Sequence, residues 1–437
     1  MGENIEISFV YKTLEVSACL PKKGYLGTFT PALTRVKKDP LSLLEKAIKQ
    51  PIGDISWFLN TNLNYQNVLI VIPDAFRYTG IEKILPEFIS YLNSHGISRD
   101  KIRFAVSTGA HRPPSEEELK NIMSPEIYIE FRNKIIIPNP ANLEEFSLIG
   151  KTKRGTPVYI HKCVLQSDLV ILTGTIVFHY FAGFGGGRKS LVPGLSAIPT
   201  IQHNHALSID PETYKLHPNV KIGKMENNPV AEDILEATLM IKKNILILNS
   251  ILSPEKDILS IYFGDLIEAH RQGTEFARSV YEISIPEKAE IVIANAGNAK
   301  NFLQSHKALV NAWQARKEPY GKIILIAPSP EGIGGHRFKE WLETKNLNKL
   351  VEKMKKEGEV NGQTVISTLE KSPHTYFLTE MNNEEIALLG GTKINSIEEG
   401  FDLAVAELAK CGNTSPTWLY LPHASYSVPK IEQLHPF

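Results

Sequence analysis

Between Thr173 and His205 the chain reads TGTIVFHYFAGFGGGRKSLVPGLSAIPTIQHNH. A β-type run, Leu169–Leu172, leads in. Gly183, Gly185, Gly186 and Gly187 then require a tight loop, whose backbone N–H groups are suited to cradling a phosphate. Arg188, Lys189 and Ser190 follow where a helix can begin, and a helix N-terminus favours anions. His179 precedes the loop, and His203 and His205 follow it. A loop that holds only a phosphate has no need of flanking imidazoles. One that holds a phosphorylated cofactor and performs acid–base or metal chemistry does.

The nearest common pattern is the P-loop, which places glycine immediately before its lysine. Here Arg188 stands there and brings a Cβ and a bulky cation where backbone must approach phosphate. An ordinary NTPase is therefore disfavoured. A nucleotide-phosphate binding or hydrolysing protein built on Gly183–Ser190 stays as the alternative of another class. The plainest alternative is a glycine-rich turn with solvated basic residues.

The chain has 437 residues, 42% hydrophobic and 22% charged, enough for two domains with separate cores. Lys+Arg and Asp+Glu both total 48, so no global electrostatic case exists for nucleic acid or an anionic membrane. Cys19, Cys163 and Cys411 lie too far apart for a C-x-x-C metal site or a disulfide framework. The first residues lack a basic stretch followed by an apolar one, and no apolar run approaches 18 residues. A soluble, cytoplasmic protein is expected.

Short β-rich runs alternate with helical spacing. Strands are expected at Val68–Pro73, Ile102–Ser107, Leu169–Leu172, Ile245–Leu248, Ile291–Ala294 and Ile323–Ala327, and a hairpin at Ile7–Ser17. A helix is expected over Ile81–Ser94, and another after the N-cap Ser115. This alternation predicts an α/β fold of two domains, each with a largely parallel sheet flanked by helices. The break near Ile283 divides residues 1–283, the hairpin included, from 284–437. The Pro-rich end from Tyr420 to Pro436 reads as a loosely packed tail. Ligands of such sheets sit beyond the carboxyl ends of the strands. The loops to search are Asp74-Ala75-Phe76-Arg77, Thr108 to Arg112, His179 to His205, and Asn295 to Lys307.

Singly these loops are ordinary; together they resemble a family. S-T-G-A-H-R-P at 107–113, H-Y-F-A-G-F-G-G-G-R-K-S at 179–190, L-V-P-G at 191–194, N-H at 204–205 and Q-S-H-K at 304–307 are similar to the lactate racemase family. These are enzymes that depend on a nickel-pincer nucleotide, the Ni(II) complex of pyridinium-3,5-bisthiocarboxylic acid mononucleotide. The resemblance implies a racemase or epimerase of 2-hydroxy acids, loaded by cofactor-synthesis enzymes, with its active site between the domains. It implies covalent attachment at Lys189, nickel ligation by His205, and paired acid/base histidines at His111 and His179. Asp74, Ala75, Phe76, Arg77 and Pro193 match cofactor-contacting positions. Arg77, Gln304, Lys307 and Tyr376 match substrate positions.

The chemistry is consistent with those roles. The carboxylate of a 2-hydroxy acid makes removal of the Cα hydrogen as a proton very unfavourable. Removal as hydride is easier if the hydroxyl proton leaves simultaneously, and each enantiomer then needs its own base. Two positions depart from the family pattern. Phe76 replaces a threonine and is followed by Tyr78, and Tyr376 stands at a tryptophan position. Both touch the expected substrate wall, so a larger or more polar 2-hydroxy acid, or a sugar acid, is a second expectation.

Overall fold

The structure, a computed structural model, describes residues 3–31, 38–59, 65–210, 212–213, 215–357 and 361–432. Two compact units emerge: Thr34–Arg278 with Glu357–Val360, and Met1–Leu33 with Ser279–Lys356 and Asn361–Phe437.

The unit centred on Thr34–Arg278 is built on a six-stranded sheet. Its order is Ile258–Asp265, Asn244–Leu252, Leu169–Thr175, Val68–Pro73, Ile102–Ser107, Ile135–Ile136. All pairs are parallel except the first, an antiparallel edge. Val68–Pro73 is buried along its whole length, as a central parallel strand with both faces covered must be. Alternate side chains serve opposite cores. Val68, Ile70 and Ile72 pack with Leu85, Phe88 and Leu92 of helix Leu85–Ser94. Leu69 and Val71 pack with Val170, Leu172 and Ile234, the last on helix Pro229–Leu239.

From Val68–Pro73 the chain adds strands on one side as far as Ile135–Ile136, then returns to add Leu169–Thr175 on the other. The two directions part between those neighbours, which opens a crevice at their carboxyl ends. The helix expected over Ile81–Ser94 is interrupted. Pro86 lacks the N–H that would reach the Glu82 carbonyl, so a 3₁₀ turn at Ile81–Lys83 precedes the helix Leu85–Ser94. Ser115 does cap a helix, Glu116–Met123, and forms a reciprocal capping box with Glu118.

The second unit has an all-parallel sheet in the order Thr392–Ile394, Thr375–Leu378, Lys322–Ile326, Ile291–Asn295, Trp418–Leu421, Tyr25–Thr28. Its membership corrects two expectations. The hairpin Asn4–Tyr11/Leu14–Pro21 belongs here, because Ile7, Phe9, Ala18 and Leu20 share a core with Ile293, Ile324, Trp418 and Phe401. Hydrogen bonds from the neighbouring strand help fasten it: Trp418 Nε1 donates to Pro21 O at 3.0 Å, and the Tyr420 hydroxyl to Ser8 O at 3.1 Å. The Pro-rich end is no loose tail as far as residue 432: Trp418–Leu421 is an interior strand, and Val428–Ile431 pairs with Glu282–Ile285. Its last residues, 433–437, lie outside those described. The units part at Arg278/Ser279, within ten residues of the break expected near Ile283.

Deleting residues 3–31 should therefore unfold the second unit. It removes an edge strand and buried apolar side chains worth several kcal/mol, comparable to a domain's whole net stability. Near-UV circular dichroism and differential scanning calorimetry should show the loss; two intact thermal transitions in the truncated chain would contradict this packing.

Candidate active site

The loops after Val68–Pro73, Ile102–Ser107 and Leu169–Thr175 converge on the crevice of the first unit. Pro73, Asp74, Arg77, Ser107, Thr173, His179 and Lys189 are among its lining residues. Asp74 is buried, and both its oxygens are engaged. Oδ2 lies 2.5 Å from His111 Nδ1, and Oδ1 accepts from the Phe76 N–H at 3.1 Å. A carboxylate on Nδ1 fixes the proton there and leaves the lone pair on Nε2, the arrangement of a general base. Asp74, expected at a cofactor contact, thus orients His111 in this structure. The exposed Phe76 ring lies 5.0 Å from the imidazole, with the Arg112 guanidinium 5.2 Å from its centre.

His179 and Lys189 meet across the glycine segment: Nε2 and Nζ are 3.1 Å apart. Lys189 is 5% exposed, and among the described residues no carboxylate pairs with it. Burial, and then the charges of Arg77 and Arg188, hold its pKa well below the ordinary lysine value. His205 sits on helix Ile198–Ala206 with its ring 5.0 Å from Phe181. Its pKa is lowered to about 3, chiefly by desolvation in its buried position. The imidazole is therefore neutral at physiological pH, the form that ligates metals.

The glycine loop is not a phosphate cradle. The Gly185 N–H donates to Val177 O, the Gly187 N–H to Asn249 Oδ1 at 2.7 Å, and the Lys189 N–H to Gly186 O. Only a 3₁₀ turn, Gly187–Ser190, follows, and Arg188 is turned inward against Met225. Burial lowers its pKa to about 10. The P-loop alternative fails on this geometry, because donors meant for phosphate are already used inside the protein. Gly187, at φ +50°, cannot carry a side chain: a Cβ would lie 2.7 Å from the His270 ring.

Several supporting residues escaped sequence reasoning. His270 bonds Gly185 O at 2.9 Å through Nε2, and burial followed by the Arg188 charge lowers its pKa to about 4. Asn249 gave a weak signal, as a polar residue ending the apolar run Ile245–Leu248. Asp233, fully buried, accepts from Thr152, Thr156 and Asn204, the last beside His205 on its helix. Nothing in the sequence marked that network.

Pro193 is half-buried in the segment that packs against the Thr108–His111 loop, where Gly109 N donates to Gly194 O. The Tyr78 hydroxyl is held by Glu82 at 2.7 Å. Gln304 and Lys307 lie in the second unit, near the start of helix Phe302–Ala315. Gln304 Oε1 accepts from Lys300 N, and Lys307 Nζ is 5.3 Å from the Tyr426 ring. Tyr376 is 4% exposed in the core under helix Ile397–Lys410. Strand alternation turns it into that core, so it forms no substrate wall.

The donor set fits a nickel nucleotide. Among the described residues no three His, Cys, Asp or Glu side chains gather as a metal cage, so a metal held by His205 would need further donors from a bound molecule. Lys189 offers an amine, and Thr108 Oγ1 is buried with no partner among the described residues.

Residues 11–215 match the lactate racemase N-terminal domain. The chain is 27% identical to a lactate racemase of Thermoanaerobacterium thermosaccharolyticum over 74% of each chain. It is 28% identical to one of Lactiplantibacillus plantarum over 76% of this chain and 77% of the other. Its fold is similar to the lactate racemase apoprotein structure from the former organism, with TM-score 0.86, 23% identity, and coverage of 98% of this chain and all of that one. A Thermotoga maritima protein of known structure matches with TM-score 0.65 and 15% identity over 91% of this chain and all of that one.

The depressed imidazoles, His205 and His270 here and His306 in the second unit, imply a pH dependence. Unfolded, each binds a proton near pH 6.5; folded, His205 and His306 wait until about 3 and His270 until about 4. In between the unfolded chain binds more protons, so stability falls as pH drops from about 6.5. The expected loss is on the order of 1 kcal/mol per group for each pH unit. Urea unfolding at pH 7 and pH 5 measures it, and equal stabilities would contradict the burial of these rings.

Proposed function

We propose that the chain, similar to the lactate racemases, racemises or epimerises a 2-hydroxy acid with a nickel-pincer nucleotide. The observation that carries the reading is a cleft lined by Lys189 and His179, with His111 bonded to the lining Asp74 and the buried His205 close enough to feel Lys189 and Arg77. Lys189 would hold the cofactor covalently, and His205 would ligate its nickel. When bound, the group supplies a hydride acceptor.

The chain's own residues do the rest. His111, with Nδ1 bonded to Asp74, presents Nε2 to take the hydroxyl proton of one enantiomer. His179 serves the other. Asp74 keeps His111 in the correct tautomer and stabilises its protonated form. Arg77, exposed at the cleft, can grip the substrate carboxylate through two parallel hydrogen bonds. Cofactor-synthesis enzymes are the partners this reading requires, and the cytoplasm is the proposed location. Among the described residues no helix is long and apolar enough to cross a membrane.

Phe76 is where the substrate should differ from lactate. With Tyr376 in the core and the Tyr78 hydroxyl engaged by Glu82, Phe76 is the departure from the family pattern that stands beside His111. A half-exposed ring there favours a 2-hydroxy acid with an extended substituent.

Protein co-produced with the cofactor-synthesis enzymes should carry an intact-mass adduct that Lys189→Ala abolishes. Tested on single-enantiomer 2-hydroxy acids, it should racemise or epimerise at least one; an adduct-bearing enzyme inert on the whole panel would refute the reaction class. His111→Gln and His179→Gln should each lower the rate roughly 10²-fold or more in both directions. Phe76→Ala should change the ranking of substrates by kcat/KM, and an unaltered ranking would place specificity elsewhere.

A further inference from the structure

The contact between Lys189 and His179 joins two residues that the proposed reaction uses at different times. The Ala182 N–H donates to His179 Nδ1 at 3.3 Å, so that nitrogen carries the lone pair. The proton of the neutral ring is then on Nε2, which faces Lys189 Nζ at 3.1 Å. An N–H there needs a lone pair opposite it, and an ammonium ion has none. The reverse arrangement, an ammonium donating to Nε2, would place the ring proton on Nδ1 against the Ala182 N–H. The surroundings agree with a free amine. Lys189 is buried, and Arg77 and Arg188 add positive charge nearby.

We propose that the free amine of Lys189 captures His179, and that acylation of Lys189 releases it. This rests on the reading of Lys189 as the attachment residue and His179 as an acid–base group. Acylation forms a bond from Nζ to the acyl carbon. The leaving group departs with its electron pair, and the nitrogen's surplus proton goes with it. The product nitrogen is planar, with its lone pair delocalised into the carbonyl or thiocarbonyl, and it offers only an N–H. Two donors cannot face each other, so His179 must either move its proton to Nδ1, losing the Ala182 bond, or turn away from Lys189. In either case Nε2–H is no longer held by the amine. Attachment of the cofactor would thus put the second acid–base residue into service, and the unloaded protein would keep it tied.

The test is side-chain ¹⁵N NMR of labelled histidines, with His179 assigned through His179→Gln. Unmodified protein should show His179 in the Nε2–H form. After acetic anhydride, with acetylation of Lys189 confirmed by mass spectrometry and acetate as the leaving group, the His179 ring shifts should move. Lys189→Met should move them without reagent. Identical His179 shifts in all three proteins would overturn the proposal, and resistance of Lys189 to acetylation would count against a free, reachable amine. Because acetylation needs no cofactor, the result stands apart from the racemase reading. Failure of that reading would show instead as a missing cofactor adduct on Lys189.

Discussion

The parallel ladder between Val68–Pro73 and Leu169–Thr175 is the contact on which the site depends. Strands leave it in opposite directions, so the loops after both must separate, and nothing in the sheet fills the gap. Asp74 emerges from one strand, and the glycine segment with His179 and Lys189 follows the other. His111 arrives from the next strand over. Both faces of the ladder are sealed by separate apolar cores, which leaves its carboxyl end as the place where polar groups can gather.

Charge in this cleft is arranged unusually. Arg77, Arg188 and Lys189 are close enough to affect one another, yet the carboxylate among the lining residues, Asp74, is already bonded to His111. Burial of a cation without a partner is expensive, and here it holds the Lys189 pKa well below the ordinary lysine value and leaves His205 neutral. An amine and an imidazole, both with usable lone pairs, are the consequence. That is suitable ground for acylation and for metal ligation.

Much of this was legible in the chain. The strands were marked by apolar runs, because strands buried on both faces have no polar side to show. The site loops were marked by polar residues directly after those runs. Legibility ended where partners come from far along the chain. The hairpin Asn4–Tyr11/Leu14–Pro21 reads as an amphipathic pair with no hint that its apolar face lies on Trp418. Tyr376 reads the same on a core face as on a substrate wall, since only the packing of helix Ile397–Lys410 makes the difference.

Local pattern thus determined the α/β class, the strand positions, the capping box at Ser115 and the neighbourhood of the chemistry. Those follow from backbone preference and side-chain periodicity over a few residues. Tertiary structure decided the role of each polar group. The glycine loop has the composition of a phosphate cradle, yet Asn249 and Val177 take its N–H groups. Lys189 has the composition of a cation, yet burial beside two arginines pushes its pKa well below the ordinary lysine value. Hydrogen-bond satisfaction and desolvation depend on every atom within a few ångströms, and those atoms come from strands that only the fold brings together.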